Sequence, residues 1–290
     1  MEIEKLISEK LRFLRQCGID SSRQEVRMLL EAALGDDRGG SYFHQKPMTG
    51  EQEKLFDRFI AQRAAHWPVD KIIGRKGFYK YEFAVSRDVL SPRPETEILV
   101  EEGLNICRQN KYTRILEFGT GSGCILISLL AELPQAEGVG VDISESALEI
   151  ARKNARDIGV DKRIRFIQTS WFAENIVDEL GSGFDVVVSN PPYIPSGEIA
   201  ALDEEVKSFD PHMALDGGAD GLRDYRRITG LAAQILTPGG WLLFEAGAGQ
   251  AADIVAIGEA NGFSRQAVVR DLSGIERCII LKNSLHFAKV

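Results

Sequence analysis

Residues 114–282 alternate short runs rich in Val, Ile and Phe with segments of helical period. That rhythm constrains the chain more than any other feature, because strands separated by helices pair in parallel and build an open α/β sheet. The first run, Arg114-Ile115-Leu116-Glu117-Phe118, passes straight into Gly119-Thr120-Gly121-Ser122-Gly123, and a helix begins at Cys124. The second, Gly138 to Val141, ends at Asp142, with a helix following from Ser144. The third, Ile164 to Ile167, leads to Gln168-Thr169-Ser170-Trp171-Phe172; the fourth, Phe184 to Val188, leads to Ser189-Asn190-Pro191-Pro192-Tyr193. Sheets of this kind bind ligands outside the carboxyl ends of their strands, so the residues just past each run are the candidates for function.

Asn190 to Tyr193 reads as a clamp for a planar NH2 group. Two successive prolines remove two N–H donors and fix two φ angles, which sets the Pro191 carbonyl in one direction beside the Asn190 side-chain carbonyl. Two acceptors and the aromatic face of Tyr193 suit an amide or an exocyclic amine. The lone pair of such a nitrogen is delocalised, and holding both hydrogens aims it at an electrophile on the other side, which is catalysis by orientation. A single Asn-Pro pair is usually a turn leaving a strand. Four consecutive residues of these types at a buried strand end point to a site, with Asn190, Pro191 and Tyr193 catalytic and Pro192 completing the substrate contact.

The glycine turn lets the backbone approach a ligand closely, and Asp142, 19 residues after Gly123, stands at the spacing of an acid that holds ribose hydroxyls. Nicotinamide and flavin enzymes share such turns, so the turn alone decides little. Three features favour S-adenosylmethionine. The turn is Gly-x-Gly-x-Gly, preceded by Glu117 where a carboxylate can face a sulfonium or an α-amino group. No second basic phosphate cradle follows, and the clamp lies on the strand expected beside the first. Asp142 has the alternative reading of a turn or N-cap residue, and Trp171 reads equally as a core aromatic or as an apolar wall against adenine.

Ahead of this region, residues 2–17 place Ile3, Leu6, Ile7, Leu11 and Leu14 on one helical face, with Gly18 at the C′ position. Ser22 and Glu25 have capping-box spacing and open a second helix, which Gly35 and Asp36 to Gly40 interrupt; Thr49 and Gln52 repeat the signature. Residues 1–66 are therefore expected to form a small helical domain, its charges either solvated faces or a docking surface for a partner. Residues 67–90 read as an extended bridge: Ile72-Ile73, then a hairpin over 77–83. Pro92-Arg93-Pro94-Glu95-Thr96 then opens a helix, and residues 91–290 form the remaining domain.

The net charge of −8 is uneven: residues 1–85 hold 15 Lys/Arg against 13 Asp/Glu, leaving 20 against 30 for the rest. An acidic body repels polyanions, which argues against direct nucleic-acid binding. Cys17, Cys107, Cys124 and Cys278 are far apart and show no metal-ligand spacing with His44, His66, His212 or His286. No apolar run approaches the ~20 residues of a membrane span, and the N-terminus lacks a signal-peptide core. The expectation is a cytoplasmic protein with no metal, monomeric by default.

Asn190-Pro191-Pro192-Tyr193, the Gly119 to Gly123 turn, Pro92 to Thr96 and the segments Phe209-Asp210-Pro211 and Ala214-Leu215-Asp216-Gly217-Gly218 together resemble the HemK/PrmC family of release-factor glutamine methyltransferases. Phe244-Glu245, Gly249-Gln250 and Asp271-Leu272-Ser273-Gly274 extend the likeness to nearly the whole chain. The resemblance implies a Rossmann-like, seven-stranded S-adenosylmethionine-dependent methyltransferase domain behind a helical domain and a hairpin bridge. It further implies methylation of the side-chain amide nitrogen of the Gly-Gly-Gln glutamine of peptide chain release factors. On this likeness Gly119, Thr120, Gly121, Ser122, Gly123, Asp142, Trp171 and Asn190 fall on donor-binding positions, and Asn190 to Tyr193 on substrate positions. Two residues depart from the family pattern, which has Asp at Glu117 and at Ser170. The same clamp would fit a glutamine of a ribosomal protein, or adenine N6 or cytosine N4 of DNA. A base modifier would need a basic groove to extrude its target, and a sheet that only senses a nucleotide would not need the clamp.

Overall fold

The computed structural model describes residues 2–35 and 48–284. It divides into two compact units, residues 1–75 with 203–209, and residues 76–202 with 210–290. The expected interruption at Asp36 to Gly40 lies outside the described residues, as do His44 and His286.

The first unit is helical: α1 (Glu2–Gln16), α2 (Arg23–Leu34), α3 (Gly50–Ala64) and α4 (Val69–Ile73). Both capping boxes form, Ser22 with Glu25 and Thr49 with Gln52, so each helix starts with its first free N–H groups satisfied. Ile7, Leu14, Val26, Leu29, Leu30, Phe56 and Ile60 share one core, while Met28 turns outward. Inside this unit Arg63 is buried and donates to Ser21 Oγ, the Trp67 carbonyl and Glu205 Oε1 (3.0, 3.2 and 2.6 Å). Ile72-Ile73 is a correction to the sequence reading. These residues are not extended but form the end of α4, because Pro68 presets its start, Gly74 in the left-handed region stops it, and Ile72 packs into the helical core.

Next comes the hairpin β1 (Arg75–Phe78) and β2 (Tyr81–Ala84), which belongs to the second unit from Lys76 on and whose Phe78 and Phe83 are buried. A 3-10 turn, Pro94–Thr96, leads into α5 (Glu97–Asn110). The alternation follows as β3 (Arg114–Phe118), α6 (Cys124–Glu132), β4 (Glu137–Asp142), α7 (Glu145–Ile158), β5 (Ile164–Gln168), α8 (Ile176–Leu180) and β6 (Phe184–Ser189). The chain continues as α9 (Glu204–Phe209, grouped with the helical unit), α10 (Arg223–Ile235), β7 (Leu236–Glu245), α11 (Ala251–Ala260), β8 (Phe263–Arg270) and β9 (Glu276–Asn283).

These strands form one seven-stranded sheet in the order β5-β4-β3-β6-β7-β9-β8. The sheet is parallel up to β7, and β9 runs antiparallel to both neighbours. Only the short loop Asp271 to Ile275 joins β8 to β9, too little chain for the crossover a parallel pair needs. Apolar cores cover both faces, one with α5 and α6, the other with α10 and α11.

Register decides the site. Phe118 pairs with Val141 on one side and Ser189 on the other, and Ser189 pairs with Phe244. The next residue of each strand therefore stands in one row at the carboxyl edge: Asp142, Gly119, Asn190 and Glu245.

Candidate active site

The glycine turn is built from backbone. Gly119 and Thr120 both donate to the Val141 carbonyl (2.9 and 3.0 Å), and Gly119, Gly121 and Gly123 all have positive φ. Gly123 caps α6 at a φ of +81°, in the left-handed region that favours glycine. Asn154, almost fully buried, accepts from Ala84 N and donates to the Ser122 carbonyl, tying the turn to the end of the hairpin. Asp142 receives Gly121 N on one oxygen and Ser144 N on the other (2.8 and 2.9 Å), which fixes its plane and leaves further lone pairs for a ligand.

Glu117 is 1% exposed and accepts from Thr120 Oγ1 at 2.5 Å. Burial pushes its carboxyl up to about 8; the Thr120 bond opposes the shift and the charge of Asp142 adds to it. Trp171 stands edge-on at Gly119 and donates its indole N–H to Asp224 Oδ1 (2.9 Å), so the ring is held as a wall beside the turn. Ser170 Oγ accepts from Phe172 N. The cleft in front of these groups is also bounded by Ser91, Thr96, Asn190, Pro192 and Met213.

The clamp is held from outside its own segment. Asn190 Nδ2 donates to Thr96 Oγ1 (3.3 Å), Thr96 Oγ1 donates to Glu245 Oε2 (2.5 Å), and Tyr193 OH donates to Glu245 Oε1 (3.5 Å). Asn190 Oδ1 is thereby left for a ligand. Pro191 and Pro192 are buried, and Asn190 and Tyr193 are half-buried. Gln250 donates to the Tyr193 carbonyl (2.9 Å) and accepts from Gly247 N (3.1 Å), fixing the exit of the clamp. Gly221 closes on the same carbonyl so tightly that a Cβ there would lie 2.3 Å from it. Arg93 reaches Asp210 at 2.8 Å, joining the turn before α5 to the loop past α9.

Burial pushes Glu245 up to about 7, against the lowering effects of Thr96 and Arg277, and pushes the Tyr193 phenol up to about 12. Of the residues the sequence singled out, Gly119 to Ser122, Asp142, Trp171, Asn190 and Pro192 line the cleft, while Gly123, Pro191 and Tyr193 stand behind its wall. Sequence reasoning gave no roles to Thr96, Glu245 and Gln250, although each lies in a motif of the family likeness. Glu117, which departs from the family pattern, lines the cleft. His212 is exposed.

The glycine turn, the acid on the adjacent strand and the Asn190 segment share one cleft, and a family model described as "Methyltransferase domain" matches residues 109–257. A second model, "PrmC N-terminal domain", matches residues 5–74. The release factor glutamine methyltransferase of Rhodospirillum rubrum is 42% identical over 93% of this chain and 81% of its own length. That of Geobacter sulfurreducens is 39% identical over 96% and 95%. The chain belongs to the release factor glutamine methyltransferase family. Among solved structures, the hMettl16 catalytic domain in complex with a MAT2A 3′UTR hairpin superposes with a TM-score of 0.53 at 15% identity, covering 72% of this chain and 77% of that one; at that identity the likeness is one of fold.

Proposed function

We propose that this protein transfers a methyl group from S-adenosylmethionine to the side-chain amide nitrogen of the Gly-Gly-Gln glutamine of peptide chain release factors. The observation that carries the reading is the row Asp142, Gly119, Asn190, Glu245, which sets an acceptor clamp beside a nucleoside-type turn in one cleft. The residues present fit the donor. Gly121 has open space where a Cβ would be, Asp142 keeps free lone pairs, and Ser91 Oγ is buried at the cleft wall without a partner among the described residues. Gly119 to Gly123, Asp142, Trp171 and Asn190 would hold it.

When bound, S-adenosylmethionine supplies a methyl group on a positively charged sulfur. Asn190 Oδ1 and the Pro191 carbonyl receive the two hydrogens of the glutamine NH2, and Tyr193 packs on the amide plane. Pro192 shapes the wall, and the nitrogen lone pair is turned toward the turn side of the cleft. A neutral amide needs no base before attack, and the extra proton leaves afterwards to water. The helical domain is assigned to docking the protein substrate. Among the described residues no helix is long and apolar enough to cross a membrane; we place the enzyme in the cytoplasm, as a monomer, without direct nucleic-acid binding.

The test offers labelled S-adenosylmethionine with a release factor, the same factor with its Gly-Gly-Gln glutamine changed to alanine, ribosomal proteins and duplex DNA. Label on the unaltered factor alone supports the reading. Label on DNA or a ribosomal protein moves the substrate, and no label anywhere removes the enzymatic reading.

A further inference from the structure

Glu245 is not among the residues that line the cleft, yet Tyr193 reaches it directly and Asn190 reaches it through Thr96. The direction of the hydrogen bonds matters more than their number. An ionised carboxylate can only accept. Thr96 must therefore give its single proton to Glu245, and its remaining lone pair can only receive the Asn190 NH2. The Asn190 amide is left with its oxygen toward the acceptor site. Were the carboxyl protonated, its O–H could donate to Thr96 and the Thr96 proton would turn toward Asn190. The amide would then rotate to present NH2 to the glutamine NH2, donor against donor, and the clamp would fail.

We propose that Glu245 is a positioning residue for methyl transfer: by accepting from Thr96 and Tyr193 together, it sets the polarity of the chain to Asn190 so that Oδ1 faces the acceptor amide. The inference rests on the reading of the clamp given above.

The surroundings favour a carboxyl that titrates near working pH. Its site is 2% exposed. Arg277 on β9, a cation that faces it, directs Nε to Asp271 Oδ2 (3.1 Å) and Nη1 to the Ala246 carbonyl (3.2 Å), so its charge is shared. Glu95 adds a like charge. Tyr193 and, from α10, Tyr225 face it as neutral phenols, and Cys124 and Cys278 as thiols that burial keeps protonated. Burial pushes Glu245 up to about 7; turnover is expected to fall as pH drops through that value, because protonation reverses the chain.

The experiment measures kcat and KM for a release factor against pH, from about 6 to 8.5, for wild type, Glu245→Gln, Thr96→Val and Thr96→Ser. S-adenosylhomocysteine affinity by calorimetry serves as the control for the fold. The expected result for Glu245→Gln and Thr96→Val is a kcat lowered about tenfold or more, the acid limb flattened, and S-adenosylhomocysteine binding kept within about twofold. Thr96→Ser restores the limb that Thr96→Val removes. If wild type turns over and both relay variants keep its acid limb, this inference alone is overturned. Should Glu245→Gln not fold, the Thr96 pair decides. If wild type labels no release factor, the reading of the clamp fails and takes the inference with it.

Discussion

The two halves of the cleft are made of different material. The donor half, Gly119 to Gly123 with Asp142 and Ser144, is held by backbone N–H groups that donate to the Val141 carbonyl and to the Asp142 carboxylate, with Asn154 tying Ser122. Its geometry needs little beyond glycine at three positions and one acid. The acceptor half is a side-chain assembly: Thr96 from the turn before α5, Tyr193 after β6, Gly221 before α10, Glu245 at the end of β7 and Gln250 at the start of α11. Backbone sites tolerate substitutions around them, whereas a side-chain relay is lost when any member is lost.

Asn190→Ala should break the acceptor half most severely, lowering kcat/KM for the release factor by roughly a hundredfold or more, with a smaller loss of S-adenosylhomocysteine affinity because Asn190 also borders the donor side of the cleft. Equal losses in both would mean that the two halves are not separable. Gly221→Ala should follow, since its φ of +73° and the 2.3 Å approach to the Tyr193 carbonyl leave no room for a Cβ. A loss of kcat of about tenfold is expected, with ~1–3 kcal/mol of stability lost, read by turnover and by denaturant melts. Asp142→Ala tests the donor half: S-adenosylhomocysteine affinity should fall about tenfold, and calorimetry checks it.

Glu117→Gln sharpens the contrast through pH. The folded carboxyl titrates near 8, above the ordinary glutamate value. Between the two the folded protein binds the extra proton, so its stability falls as pH rises through the window, by about 1.4 kcal/mol per pH unit for one such group. The variant should lose most of that slope in denaturant titrations compared at pH values within the window, and an unchanged slope would show that Glu117 is not its source. Ser170→Asp should have the smallest effect, a gain of about two- to threefold in donor affinity from restoring an ionised acceptor at the rim, measured by calorimetry.

Much of the donor half was legible because it is local. Strand, glycine turn and helix lie within residues 114 to 132, and the acid closes the next strand. The Asn190 clamp was equally visible, since prolines fix backbone direction wherever they stand. Ile72-Ile73 misled because a five-residue helix carries no full period to read, and its limits come from Pro68 and Gly74. The relay was not derivable, because Thr96 and Glu245 are 149 residues apart and neither carries a local signature of its partner.

By itself the sequence determined that parallel strands would end in a glycine turn, an acid and an amide clamp, because periodicity, glycine and proline act within a few residues. Only the tertiary structure decided that Asp142, Gly119, Asn190 and Glu245 share one edge, and that Glu245 sits where water does not reach. Register between strands is set by packing both faces of the sheet at once, and the shift of a buried carboxyl depends on everything that surrounds it.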